Sequence, residues 1–132
     1  MSHDELIGDD EPIWRCIHVS HLFFGDGKLR AASAAFIDSD RFSVYLARYA
    51  DLERIIEHFS TSCVAQLLVG DLTSVGFRVV LTPSEQIDEP HADVIAPVGA
   101  TGKRLTKISK NSIVPKAELI YVHIASAKSK IL

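Results

Sequence analysis

The segment VGATGKRLTK, residues 98–107, combines two glycines with two lysines and two threonines, which is typical of a phosphate-binding loop. A P-loop requires G-x-x-x-x-G-K-[ST], so that backbone N–H groups and the lysine hold phosphates while the hydroxyl binds magnesium. Counting from Gly102 and Lys103, the first glycine position holds Pro97 and the hydroxyl position holds Arg104. The segment is therefore not a P-loop, and it predicts a glycine turn that leads into a short basic helix.

This segment still has the residue types that bind an anion or an acidic partner. A backbone N–H group and a lysine at the start of a helix are suitable donors to a negative charge. A histidine stands at the end of the polar loop SEQIDEPH, and polar loops of this kind often border a binding site. The predicted partner- or anion-binding residues are Gly102, Lys103, Arg104, Lys107, Lys110 and His91.

The histidines and cysteines do not have the spacing of a metal site. His18 and His21 would share a face only on a helix, because residues an odd number apart point to opposite sides of a strand. The sequence contains neither H-E-x-x-H nor C-x-x-C, and Cys16 and Cys63 are too few for a four-thiolate zinc site. We therefore predict no metal, and we interpret the cysteines as reduced, buried thiols of a cytoplasmic protein.

One arginine, Arg15, is predicted to lie among apolar residues on a strand, which suggests a functional role. The segment IWRCIHV, residues 13–19, predicts a first strand on which Arg15 shares a face with two isoleucines. Burying a guanidinium among apolar neighbours costs free energy unless an anion or a carboxylate meets it. Downstream, Ser43 and Tyr45 share one face of a predicted strand, and an amphipathic helix follows.

This order of motifs resembles the ADP-ribosyltransferase-like folds over about residues 13–59, including the toxin group with an Arg-Glu-Ser signature. The resemblance implies NAD as cofactor. It implies that Arg15 binds the dinucleotide phosphates, that the strand of Ser43 shapes the nicotinamide pocket, and that Tyr45 is a stacking platform. The sequence has no E-x-E pair, so the glutamate of the signature would be Glu57 or Glu118. The implied catalytic residues are Arg15, Ser43, Tyr45 and Glu57.

A second resemblance covers about residues 13–110. The segments WRCIH, SAAF, SVYLA and EPHADVIAPV, followed by a basic stretch, are similar to those of a group of small uncharacterised bacterial proteins. This resemblance implies a bacterial cytosolic setting and no established activity. No run approaches the roughly 20 apolar residues that span a bilayer, and the acidic N-terminus lacks the pattern of a secretory signal. We therefore expect no membrane association.

Charge is segregated along the chain. Residues 1–12 contain five acids and no Lys or Arg, whereas residues 103–132 contain seven Lys and Arg against Glu118 alone. Because no complete catalytic set is visible, this segregation favours a small protein-interaction module, such as the accessory subunit of a larger assembly. Two alternatives stay open: an NAD-using transferase or hydrolase, and a nucleic-acid-binding accessory protein that uses the basic C-terminal third.

The predicted fold is a single α+β domain with a mostly antiparallel sheet of about six strands and two main helices. Residues 1–11 are predicted to be a mobile acidic arm, and residues 12–132 form the domain. The segment DLERIIEHF predicts the clearest helix, because its apolar residues fall on one stripe and Asp51 is placed to cap it. Segments with strand character are 13–19, 32–38, 42–47, 63–70, 77–83, 91–98 and 117–125.

Overall fold

Six strands form one antiparallel sheet, and two shorter strands form a hairpin beside it. The computed structural model describes residues 7–25, 27–36, 40–59, 62–82 and 87–122. The order of strands across the sheet is β6-β7-β4-β1-β5-β8, and β2 pairs with β3. The strands are β1 Pro12–His18, β2 Leu22–Gly25, β3 Lys28–Ala31, β4 Arg41–Leu46, β5 Ser62–Leu68, β6 Arg78–Leu81, β7 His91–Ile95 and β8 Glu118–Tyr121.

Three α-helices lie within the described part of the chain, namely α1 Leu52–His58, α2 Val69–Thr73 and α3 Gly102–Ile108. The helix predicted from DLERIIEHF is confirmed as α1, and Asp51 caps it. Its Oδ1 accepts hydrogen bonds from the N–H groups of Glu53, at 3.0 Å, and Arg54, at 3.4 Å. The α+β class and the mostly antiparallel sheet are therefore as predicted.

The two faces of the sheet have different environments. One face, which we call the core face, carries residues such as Ile13, Val44 and Val94 and holds the main hydrophobic core. This core also includes residues of α2, α3, the β2–β3 hairpin and the 3₁₀ turn Ser33–Phe36. The opposite face, which we call the α1 face, carries Trp14, Tyr45, Val64, Gln66 and His91, as the strand registers show.

The predicted strand over residues 32–38 is wrong where the structure describes it. Residues Ser33–Phe36 form a 3₁₀ turn, in which Ala35 and Phe36 are almost completely buried. The rings of Phe36 and Phe42 pack edge to face with centroids 6.0 Å apart. The apolar run is therefore explained by burial of this turn against the sheet. Composition alone does not distinguish a strand from such a buried turn. Residues 37–39 lie outside the described residues.

The end of the predicted mobile arm is anchored to the domain. The Val69 N–H donates to the carbonyl oxygen of Glu11 at 3.0 Å, and the Gly70 N–H donates to that of Asp9 at 2.7 Å. A Cβ at Gly70 would lie 2.9 Å from the Asp9 oxygen, so only glycine permits this close approach. The side chain of Glu11 is buried, and its Oε2 lies 3.5 Å from Nε of Arg48. The arm boundary at residue 11 is therefore too late, and residues 1–6 lie outside the described residues.

Candidate partner-binding face

The predicted basic helix is present as α3, and a further turn continues it. After α3 the chain continues into a π turn, Ser109–Ile113, in which the Val114 N–H donates to the carbonyl oxygen of Ser109 at 2.9 Å. Leu105, Ser109 and Ile113 are buried and hold this segment against the core. Turns of this kind are frequent at functional sites.

The opposite side of the same segment faces solvent, and we call it the basic face. Six of its residues line a recess of about 630 Å³, and Arg104 lies beside them. The six are Gly102, Lys103, Thr106, Lys107, Lys110 and Asn111. The three lysines recur at intervals of four and three residues, which places them on one stripe. Thr106 and Asn111 were not among the predicted residues, although helical spacing indicates them, since Thr106 is four residues after Gly102 and Asn111 four residues after Lys107.

The cations of the basic face have no carboxylate partner within the residues that the structure describes. Elsewhere on the surface, Arg41 lies near Asp93, Arg48 near Glu11, and Arg54 near Glu89, with nitrogen–oxygen distances of 3.6, 3.5 and 3.4 Å. No such pair involves the four cations of α3 and the π turn, namely Lys103, Arg104, Lys107 and Lys110. The basic face therefore presents a concentrated positive charge that the described part of the chain leaves uncompensated.

An exposed apolar residue precedes the basic face in the chain. Val98 is fully exposed in the turn that leads into α3, where Gly99 has a φ of +81°. It stands four residues before Gly102, the first residue of the basic face. The turn therefore adds an exposed apolar side chain close in sequence to the cationic stripe.

His91 does not belong to the basic face, although it was predicted together with it. It lies on the α1 face, where its Nδ1 is 2.9 Å from Oγ1 of Thr82 and its ring centroid is 5.4 Å from that of Tyr45. Leu105, by contrast, anchors α3 on the core face. The sheet therefore separates His91 from the lysines.

Arg15 and Ser43 also lie on different sides of the sheet. Arg15 is on the core face, where its Nε donates to the carbonyl oxygen of Ala35 at 3.1 Å and its Nη1 to that of Ser43 at 3.2 Å. The guanidinium carbon lies 5.4 Å from the centroid of the Phe42 ring. The register of β4 places the Ser43 side chain on the α1 face, directly across from Asp93. The contact between Arg15 and Ser43 thus involves a backbone carbonyl and not the hydroxyl.

The other two residues of the NAD hypothesis are Tyr45 and Glu57. Tyr45 is buried beneath α1, with its ring centroid 6.3 Å from that of Phe59. Glu57 is exposed on α1 and lines a recess of about 440 Å³ with Arg54, His58 and Ile87. Ser43 and Tyr45 therefore share the α1 face, as predicted, whereas Arg15 lies on the core face and Glu57 is exposed on α1. The four implied catalytic residues do not line one site.

Cys16 lies half-buried on the α1 face. Burial raises the pKa of its thiol from 9.0 to about 11, and the nearby positive charge of Arg15 offsets part of this rise. The thiol is therefore protonated at neutral pH and is a poor nucleophile. Within residues 7–122, apart from the segments that the structure leaves undescribed, no three His, Cys, Asp or Glu residues are grouped for metal binding.

No family model, no curated protein and no solved structure matches this chain. Both resemblances drawn from the sequence motifs therefore remain predictions. None of the helices in the described residues is long and apolar enough to cross a membrane.

Proposed function

We propose that this chain is a small protein-interaction module that binds an acidic segment of a partner protein through its basic face. The observation that carries this proposal is that four cations without a carboxylate partner in the described residues stand together on one helical segment, namely Lys103, Arg104, Lys107 and Lys110. Arg41, Arg48 and Arg54 are each close to a carboxylate, whereas the cations of the basic face have no such partner in the described part of the chain.

Complementary charge supplies association rate and specificity more than affinity. A single exposed ion pair contributes roughly 0–1 kcal/mol, so binding requires several lysines to act together on one partner segment. The stripe of Lys103, Lys107 and Lys110 meets this requirement, because all three residues line one recess. Screening by salt then weakens the complex, since these side chains are exposed.

The residue types of the basic face favour a protein over a nucleic acid. Proteins that bind single-stranded nucleic acid combine cations with aromatic side chains on which the bases stack. None of the residues of the basic face is aromatic, and the exposed Val98, four residues before it in the chain, is aliphatic. An acidic peptide with interspersed apolar residues fits this combination of charge and apolar surface.

The test uses a fluorescein-labelled peptide of alternating glutamate and leucine pairs, with binding measured by fluorescence anisotropy at low and high salt. We expect binding that weakens as salt rises. The triple variant Lys103→Glu, Lys107→Glu and Lys110→Glu should bind about tenfold more weakly, because it reverses the charge of the stripe. The matched control is the double variant Arg78→Glu and Lys116→Glu, which reverses exposed cations outside the basic face and should bind like the wild type.

Three other outcomes would contradict the proposal or favour one of the alternative functions. Equal binding by the wild type and the triple variant contradicts the proposal. Tight, salt-dependent binding of single-stranded DNA of the same charge, without binding of the peptide, indicates the nucleic-acid alternative. Turnover or binding of labelled NAD that is lost in Arg15→Ala indicates the transferase or hydrolase alternative.

A further inference from the structure

Strand β6 forms one edge of the six-stranded sheet, and its backbone groups alternate in direction. The Thr82 N–H donates to the carbonyl oxygen of His91 at 3.1 Å, which fixes the phase of the ladder between β6 and β7. In an antiparallel ladder every second residue directs its N–H and C=O to the neighbouring strand. Arg78 and Val80 therefore bond to β7, while Val79 and Leu81 direct theirs away from the sheet.

The outward groups of Val79 and Leu81 have no hydrogen-bond partner within the described ranges. Natural sheets protect such edges with proline, bulges, clustered charges or a covering segment. β6 contains no proline or glycine, and Arg78 is its one charged residue. The opposite edge, β8, has two of these forms of protection. A bulge shifts its register with β5 between Val64 and Ala65, and the β3 strand of the hairpin packs against it.

We propose that two copies of this chain associate through β6, antiparallel and about a two-fold axis at Val80, which joins two six-stranded sheets into one. The pairing places Val79 of each copy opposite Leu81 of the other, so that all outward N–H and C=O groups of these two residues are used. Val80 then faces its own counterpart in the second copy.

Two neighbouring registers are excluded by backbone chemistry. A register that pairs Val79 with Val79 needs the N–H of Phe77, which already donates to the carbonyl oxygen of Leu72 at 3.1 Å. A register that pairs Leu81 with Leu81 needs an N–H donor at position 83, where the sequence has a proline, which has no N–H. The register centred on Val80 is the one of the three in which every required group is available.

The side chains are compatible with this register. Val79 and Leu81 point to the core side of the sheet, where a recess of about 250 Å³ opens beside β6. The recess lies next to the position that Leu81 of the second copy takes. Its apolar residues are Ile7, Val69, Phe77, Val79 and Val80, and its polar residues are Asp9, Thr73 and Arg78. Each Arg78 lies opposite Thr82 of the other copy, which separates the two guanidinium-bearing residues by four strand positions, about 13 Å. Like charges are therefore kept apart.

Disulfide trapping tests the register directly. Val80 and its counterpart form a non-hydrogen-bonded pair, whose Cα atoms are about 4.5 Å apart and within the range of a disulfide. We expect Val80→Cys to form a covalent dimer rapidly under mild oxidation with oxidised glutathione. Arg78→Cys is the matched control, because it lies on the same strand and the same face but too far from its counterpart to be bridged.

A charge swap provides a second measurement that does not depend on oxidation. Val80→Lys and Val80→Glu should each be monomeric in sedimentation equilibrium, because like charges then meet at the axis, whereas an equimolar mixture should restore the dimer. Circular dichroism confirms that each variant is folded. A wild-type protein that stays monomeric at every concentration overturns the proposal, as does equal trapping of Val80→Cys and Arg78→Cys. A monomer that instead binds an extended peptide along β6 assigns this edge to a different partner and also overturns it.

Discussion

Arg15 illustrates how backbone carbonyl groups and an aromatic ring can hold a guanidinium on the apolar face of a sheet. Its planar group presents several N–H donors in fixed directions, and two of them reach the carbonyl oxygens of Ala35 and Ser43. The guanidinium also lies over the ring of Phe42, which provides a cation–π contact. These contacts connect β1 to β4 and to the 3₁₀ turn, so the geometry supports a structural role for this arginine.

Replacing the guanidinium should therefore lower stability. We expect Arg15→Met to reduce the free energy of unfolding by about 1–3 kcal/mol, because the carbonyl oxygens that it bonds lose their donors. Arg15→Lys should recover only part of this loss, since an ammonium group cannot reproduce the planar fork. Urea denaturation measures both changes, and Lys107→Met, at an exposed position, is the control. Unchanged stability in Arg15→Met would contradict the structural role.

The thiol of Cys16 should react slowly and with a displaced pH dependence. Because burial raises its pKa from 9.0 to about 11, the thiolate that attacks an alkylating reagent is scarce at pH 8. We expect alkylation by iodoacetamide to be at least roughly tenfold slower than at Val98→Cys, a fully exposed position, and to accelerate until the pH reaches about 11. Peptide mapping by mass spectrometry follows each site, and equal rates at pH 8 would contradict the burial of Cys16.

At the scale of elements, α1 shows when a sequence pattern is sufficient. Its apolar residues recur with helical spacing and its cap is Asp51, and both features depend only on neighbours in the chain. Ile55 is completely buried, and Glu53, Arg54 and Glu57 are exposed, as the stripe predicts. The strand predicted over residues 32–38 was wrong for the opposite reason, because the conformation of Ser33–Phe36 depends on packing against Phe42 and a short apolar run does not distinguish a strand from a buried turn.

The cap of α1 makes a quantitative expectation. Asp51→Ala should lower the free energy of unfolding by about 1 kcal/mol, because the N–H groups of Glu53 and Arg54 lose their acceptor. Glu53→Ala is the matched control, since it removes an exposed carboxylate from the same turn and leaves the cap intact. Urea denaturation distinguishes the two, and equal stability of both variants would show that the cap contributes nothing.

At the scale of the whole molecule, the six strands of the main sheet could be predicted, but the β2–β3 hairpin and the order of the strands could not. Hydrophobic alternation identified β1, β4 and β7, whereas the order β6-β7-β4-β1-β5-β8 depends on contacts between residues distant in sequence. The same limit applies to the candidate site. The lysines of α3 share a helix, so their spacing placed them together. Grouping His91 with them, or Arg15 with the hydroxyl of Ser43, required knowledge of which face of the sheet each residue occupies.

The side on which Trp14 lies has a consequence for spectroscopy. Trp14 is the one tryptophan of the chain, and its indole N–H donates to Oε1 of Gln66 on the α1 face. Its emission therefore reports on the layer between the sheet and α1, while the larger apolar layer on the other side has no indole within it. A fluorescence-detected melting curve would record the loosening of the thinner layer, and a far-ultraviolet dichroism curve would record the loss of the sheet. Coincidence of the two curves would demonstrate that both layers unfold together.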